Sequence, residues 1–231
     1  MLVASGLSRN FHSTSSRFSL IVEKFTLTAG DCLAVIGPSG CGKSTLLGLL
    51  SLALRPDSGD RLCVTGVDAL QLWHDSRLDR LASLRAHAIG FVPQTAALLP
   101  FLSLAANIAL PQRIRGRPDP AMVADLADWL GIRALLHRPP GKVSVGQRQR
   151  AAVARALSTR PPIVLADEPT ASVHPGQAME ILSRLKKFAA ETQAGIVVTT
   201  HDRTRAQSAG FQIVECDMDD AAGLTRLRWP A

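Results

Sequence analysis

Gly37-Pro-Ser-Gly-Cys-Gly-Lys-Ser-Thr45 satisfies the pattern G-x-x-x-x-G-K-[ST]. An apolar run, Cys32-Leu-Ala-Val-Ile36, precedes it and reads as a strand; the residues from Lys43 to about Leu54 read as a helix. Each residue type meets a physical need. The glycines let the backbone wrap a chain of phosphates with its N–H groups pointing inward. The helix N-terminus adds free donors and a partial positive charge. Lys43 supplies a full charge to the β- and γ-phosphates, and the Ser44 hydroxyl can ligate Mg²⁺, which takes few protein oxygens. A strand before the loop and a helix after it argue against a chance glycine-rich turn.

Further along the chain, Ile163-Val-Leu-Ala-Asp-Glu168 is an apolar strand ending in two acids. Alone that is a weak signal; beside a phosphate loop it is a strong one. Asp167 can hold Mg²⁺ through a water, and Glu168 can accept a proton from an attacking water. His201 follows the apolar strand Gly195–Thr200, which brings it to the carboxyl edge where open α/β sheets bind ligands. There it can donate to a γ-phosphate. Gln94 follows the strand Ile89–Val92 and can reach the metal or the attacking water.

Between these points the pattern is mixed α/β. Phe18–Val22 and Arg61–Thr65 read as strands, and Arg55-Pro-Asp-Ser-Gly59 as a helix stop. Asp75–Ala88 reads as a helix with Leu78, Leu81, Leu84 and Ala88 on one face. From about Thr95 to Arg160 three helices are expected, over Ser103–Leu110, Pro120–Leu130 and Gly146–Leu157. The runs Ile163–Ala166 and Gly195–Thr200 are continuously apolar, as strands buried on both faces are. Met179–Ala190 is the crossover helix between them, and the last thirty or so residues read as irregular.

The bulk properties bound the answer. The 231 residues suit one large α/β domain, and 46% hydrophobic content supplies a core. The net charge of +7 admits a nucleic-acid surface, an anionic membrane, or simply scattered arginines around a phosphate site. The basic residues form no run and interleave with no aromatics, so nucleic acid is not an expected partner. Cys32, Cys41, Cys63 and Cys216 form no CxxC pair, and Cys41 reads as a small residue inside the phosphate loop. The opening MLVASGLSRNFHSTSSRF lacks acids, as a transit peptide does, but is better read as a first strand and turn. The longest apolar run, Leu46–Leu54, is too short for a membrane span.

Together these residues resemble the ATP-binding cassette (ABC) ATPases. The family's LSGGQ signature corresponds to Val143-Ser-Val-Gly-Gln147, leading into the segment Arg148–Leu157. The order also agrees: phosphate loop, Gln94, signature, Asp167-Glu168, His201. The resemblance implies an α/β P-loop NTPase (RecA-like) core with an N-terminal antiparallel β subdomain and an inserted α-helical subdomain. Residues 1–94 and 161–231 would form the core, and 95–160 the helical part carrying the signature. It implies ATP and Mg²⁺ as ligands, with Gly37, Pro38, Ser39, Gly40, Cys41, Gly42, Lys43, Ser44 and Thr45 around the phosphates. Ser44, Gln94 and Asp167 would hold the metal, and Glu168, His201 and Gln94 would be catalytic. Adenine would stack on Phe11, with Phe18 as the fallback. Two cassettes would pair head to tail as a homodimer, so that Ser144, Gly146 and Gln147 reach the partner's nucleotide.

A finer similarity is to cassettes of lipoprotein-releasing and macrolide-exporting transporters, carried by Ile89–Gln94, Leu98–Pro100, Ala106–Pro111 and Leu165–Thr170. It implies a separate membrane permease, seated in a groove lined by Phe101–Ile108, and a location at the cytoplasmic face of the inner (plasma) membrane. Two positions depart from the pattern. Val145 replaces a glycine of the signature, and His174 stands where an aspartate usually crosses the dimer interface. His174 either hydrogen-bonds across that interface or weakens the link between the two sites. A chromosome-organising ATPase of this family would need a long coiled coil, and a translation factor two cassettes, and neither pattern is seen. A regulatory module with weak turnover remains the alternative.

Overall fold

A computed structural model of the chain describes residues 1–12, 17–171, 173–219 and 223–228. The chain opens with two long strands, β1 (Leu2–His12) and β2 (Arg17–Leu27), paired antiparallel from Leu2 opposite Leu27 onwards. β3 (Cys32–Ile36) carries the phosphate loop into helix α1 (Lys43–Leu50). Next come β4 (Arg61–Val64), β5 (Val67–Asp68), α2 (Ala69–His74), α3 (Leu78–Ala88) and β6 (Ile89–Val92). Three helices follow: α4 (Leu104–Ile114), α5 (Pro120–Trp129) and α6 (Val145–Leu157). The chain returns through β7 (Ile163–Ala166), α7 (Pro175–Thr192) and β8 (Gly195–Thr200). It ends in α8 (Arg203–Ser208), β9 (Gln212–Asp219) and β10 (Leu224–Arg228).

The strands form one ten-stranded sheet in the order β5-β4-β1-β2-β10-β9-β3-β8-β7-β6. One wing is antiparallel, and the run β9-β3-β8-β7-β6 is parallel. β6 and β7 are parallel neighbours, so the whole helical stretch between them is an excursion from two adjacent strands.

The central strands β3 and β7, and β8 as far as Val198, are apolar because they feed two cores. Ala34, Val164, Ala166, Ile196 and Val198 face the core shared with α4–α7. Leu33, Val35, Ile163, Leu165 and Val197 face the other, with Leu46, Leu47, Leu49 and Leu50 of α1. Successive side chains point to opposite faces, so a strand between two cores alternates between them without a polar residue. Each fully buried Leu or Val adds roughly 1.5–3 kcal/mol of transfer free energy.

Local rules set the helix starts. Ser103 caps α4 through Ala106 N, and Asp119 caps α5 through Met122 N, with Pro120 at the first turn. Ser144 and Gln147 form a capping box on α6.

The structure corrects several expectations. α1 ends at Leu50, not near Leu54: Leu52 turns left-handed (φ 59°), and Ala53 N and Leu54 N both donate to Gly48 O. The helix expected over Asp75–Ala88 begins at Leu78, after Ser76 turns left-handed (φ 53°), and Leu78 is exposed rather than on the buried face. α2 was not foreseen. The C-terminal stretch is not irregular; β9 pairs with β3, and β10 joins β9 to β2. Among the described residues no helix is long and apolar enough to cross a membrane.

Candidate functional site

The carboxyl ends of β3, β6, β7 and β8 bring the singled-out residues to one edge of the sheet. A cleft of about 410 Å³ there is lined by Ser39, Gly40, Gly42, Lys43, Ser44, Thr45, Gln94 and Glu168, with Phe11 and Phe18 at one side. Gly40 (φ 86°) and Gly42 (φ 89°) take left-handed conformations that a side chain would strain. Gly42 is also crowded: a methyl there would lie 2.7 Å from Phe18 Cζ. Lys43, only 6% exposed, donates to Gly37 O at 2.9 Å and Pro38 O at 2.8 Å, bracing the loop from within. Pro38 and Cys41 do not line the cleft with their side chains; Cys41 is buried beneath the loop.

Glu168 sits at the centre of the acid–base geometry. Its Oε1 is 3.9 Å from Lys43 Nζ and its Oε2 is 3.6 Å from His201 Nδ1. Its backbone is left-handed (φ 43°), a conformation that costs a β-carbon-bearing residue of order 1–3 kcal/mol and recurs at functional sites. Thr199 on β8 holds it there. Thr199 Oγ1 accepts from Glu168 N at 2.8 Å and donates to Asp167 Oδ1 at 2.7 Å. One hydroxyl therefore fixes both acids, and sequence reasoning missed it. The available signal was a pair of threonines, Thr199 and Thr200, at the carboxyl end of an otherwise aliphatic strand.

The donor set fits a magnesium ion. Ser44 and Gln94 line the cleft, and Asp167 adjoins Glu168, which does too. All three offer oxygen, the donor that hard cations take. Asp167 is only 7% exposed, with Oδ1 bonded to Thr199. Phe11 and Phe18 lie 6.1 Å apart, centroid to centroid, and the Arg9 guanidinium covers Phe11 at 5.3 Å. Phe11 is 40% exposed and is the freer face for a flat ring.

The signature residues lie elsewhere. Ser144, Gly146 and Gln147 do not line this cleft. Ser144 Oγ accepts from Gln147 N, and Ser144 N donates to Gln147 Oε1 at 2.9 Å, so both side chains shape the open N-terminus of α6. Val145 is the first helical residue and is 48% exposed. Gly146 packs close to the first turn of α7 and the segment before it: a methyl there would lie 3.0 Å from Gln177 Oε1 and 3.3 Å from Val173 Cγ1. His174 caps α7, its Nδ1 accepting from Gly176 N at 3.4 Å.

A second missed residue is Arg155, in the last turn of α6. It donates to Ala97 O at 2.8 Å and Ala96 O at 2.9 Å, clasping the loop that follows Gln94. Burial pushes its guanidinium below the ordinary arginine range. The residues expected to line a groove, Phe101–Ile108, differ in exposure. Leu104 and Ile108 are fully buried, while Phe101 is exposed. A depression nearby is lined by Ile89, Phe91, Pro111, Ile114 and Arg155, among others.

The chain is similar to known proteins over most of its length. Residues 22–171 match the family described as ABC transporter. A lipoprotein-releasing system ATP-binding protein of Rhodopirellula baltica is 35% identical over 93% of this chain and 94% of its own. A protein of the same description from Hyphomonas neptunium is 34% identical over 85% of this chain and 86% of its own. Among solved structures, an ATP-binding cassette in a dimeric post-hydrolysis state with ADP and Pi superposes with a TM-score of 0.86. It shares 27% identity and covers 99% of this chain and 98% of its own.

Proposed function

The chain belongs to the ABC transporter family, and on that premise we propose how its residues divide the work of ATP binding, hydrolysis and coupling. The protein is an ABC transporter ATPase cassette that binds nucleotide and drives transport. The observation that carries the assignment of roles is Glu168, held between Lys43 and His201 by a strained backbone and one threonine.

In this reading the backbone N–H groups of 37–45 and Lys43 bind the phosphates, and Phe11 stacks on the adenine. Glu168 takes the proton from the attacking water, and His201 donates to the γ-phosphate. Charge accumulates on the γ-phosphoryl oxygens as the bond to the leaving oxygen breaks, and Lys43 and His201 offset it. Ser44, Asp167 and Gln94 would hold Mg²⁺, which neutralises phosphate charge when bound. Gln94 adjoins the loop clasped by Arg155, so a shift at the metal reaches α6 without passing through solvent.

The partners follow the same logic. The N-terminus of α6 does not line the chain's own cleft, as expected of a donor to a second cassette's nucleotide. The second subunit is a copy of this chain, paired isologously. The membrane-spanning permease is a separate polypeptide that seats against the depression around Pro111 and Ile114, with Phe101 exposed beside the same helix. The cassette works at the cytoplasmic face of the inner membrane through that contact.

The test is Glu168→Gln. It is expected to bind ATP, lose on the order of 10²-fold or more in phosphate release, and elute as an ATP-dependent dimer by size exclusion. Wild-type turnover would remove Glu168 from the role of base. A parent chain that binds ATP yet releases no phosphate, alone or with its permease, would favour a regulatory module instead.

A further inference from the structure

Two of the four cysteines meet beneath the phosphate loop. Cys41 in the loop and Cys216 on β9 are buried, and both are free thiols. Gly37 lies between them: a methyl built there would sit 2.5 Å from Cys41 Sγ and 3.0 Å from Cys216 Cβ. The register explains the meeting. β9 runs parallel to β3 with Glu215 opposite Ile36, so Cys216 emerges where β3 gives way to the loop. On its other side, Cys41 Sγ is 3.9 Å from Lys43 Nζ.

We propose that Cys41 and Cys216 form a peroxide-responsive dithiol site, whose oxidation to an intramolecular disulfide draws the phosphate loop onto β9 and abolishes nucleotide binding. The functional half of this rests on the loop being the nucleotide site.

The surroundings select Cys41 as the attacking sulfur. The hydrogen bond with Cys216, and then the Lys43 ammonium, bring its thiol down to about 6 against the opposing effect of burial. Cys216 moves the other way, pushed up by the same hydrogen bond and by burial. At neutral pH Cys41 is therefore the thiolate and Cys216 keeps its proton. The thiolate attacks one oxygen of hydrogen peroxide, the O–O bond breaks, and the departing hydroxide takes a proton and leaves as water. Cys41 is then a sulfenic acid, oxidised by two electrons. The Cys216 sulfur attacks it and gives up its proton, the S–O bond breaks, and a second water leaves. Two thiols and one peroxide thus become a disulfide and two waters.

Cys41 has no exposed surface, which restricts the oxidant to one as small as hydrogen peroxide and makes the step wait on loop opening. A nucleotide on the loop closes that route. A disulfide holds its sulfurs at about 2.05 Å. Closing to that length pulls residues 38–42 toward β9, along with the Gly37 and Pro38 carbonyls that Lys43 grips. Cys32 provides an internal control, since burial pushes its thiol up to about 11.

The complete chain would be treated with hydrogen peroxide, with and without ATP, digested without reductant and mapped by mass spectrometry. Binding of a fluorescent ATP analogue would be followed in parallel. The expected results are a Cys41–Cys216 cross-linked peptide and a loss of affinity of about tenfold or more, equivalent to about 1.4 kcal/mol. Dithiothreitol reverses both, and ATP suppresses both. Cys216→Ala binds nucleotide as the parent does and yields no such peptide; Cys216→Ser serves the same purpose if the alanine variant misfolds. A parent chain that binds nucleotide but never yields the cross-link overturns the proposal, as does a cross-link that leaves affinity unchanged. A chain that binds no nucleotide before treatment overturns the reading of the loop, and the peptide map still decides whether the dithiol reacts.

Discussion

Thr199 joins the two acids of the site through a single oxygen, and its removal separates positioning from chemistry. Thr199→Val keeps the shape of the side chain but deletes both hydrogen bonds, leaving Asp167 Oδ1 without its donor. An unsatisfied buried acceptor costs about 1–3 kcal/mol. Phosphate release should fall roughly tenfold, a barrier change of about 1.4 kcal/mol. ATP affinity by titration calorimetry should change little. Equal losses in both would mean that Thr199 supports only the fold. The residues of the site were legible where chemistry demands a rare type at a fixed offset: Lys43, Glu168, His201 and Gln94 all reach one edge. Thr199 and Arg155 were not, because a threonine in a strand and an arginine in a helix satisfy ordinary propensity and give no contrast with their neighbours.

At the scale of elements, α6 does two jobs. Its N-terminus presents the signature, and its last turn holds the loop after Gln94. Ala96 (φ 62°) and Ala97 (φ 44°) are consecutive left-handed residues, each costing of order 1–3 kcal/mol, and one guanidinium grips both carbonyls. Arg155→Ala should lower stability by about 2–3 kcal/mol, from two charge-assisted bonds. Amide exchange at 95–99 should rise more than elsewhere. Arg155→Lys should recover only part of this, since an ammonium lacks the planar fork. Uniform exchange across the chain would refute a local clasp. The expected helix starts at Ser103, Pro120 and Gly146 fall within one residue of the observed ones, where Ser103, Asp119 and Ser144 each cap as their type prefers. α2 was unreadable because six residues carry too little periodicity, and β9 because its alternation (Val214 and Cys216 in, Glu215 and Asp217 between them) rests on only two buried residues.

Over the whole molecule, the two cores make the sheet a rigid partition, and the candidate site lies along one edge of it. A shared dimeric site puts weight on His174. In its own chain it caps α7, a role aspartate fills better, with a gain of about 0.5–1 kcal/mol from cap and helix dipole. His174→Asp should therefore raise the urea midpoint slightly and change the cooperativity of ATP hydrolysis. An unaltered rate and Hill slope would show that the histidine already carries the cross-interface contact. The antiparallel wing was implied by the family resemblance, whereas the order of the strands in the sheet was not read from the sequence. Nor was the closure by β10, which ties β9 to β2, because the pairing joins segments about two hundred residues apart that no local signal connects.

The Arg155 clasp also bears on recombination between relatives. A helical insert could be exchanged as a cartridge only if both ends of the clasp travel together. Crossovers placed between Ala97 and Arg155 would splice a loop from one parent to a helix from another, and would orphan two carbonyls wherever the second parent has no arginine at that position. Crossovers before Pro93 and after Ser158 would keep the clasp whole, and libraries built on those seams should retain more active chimeras.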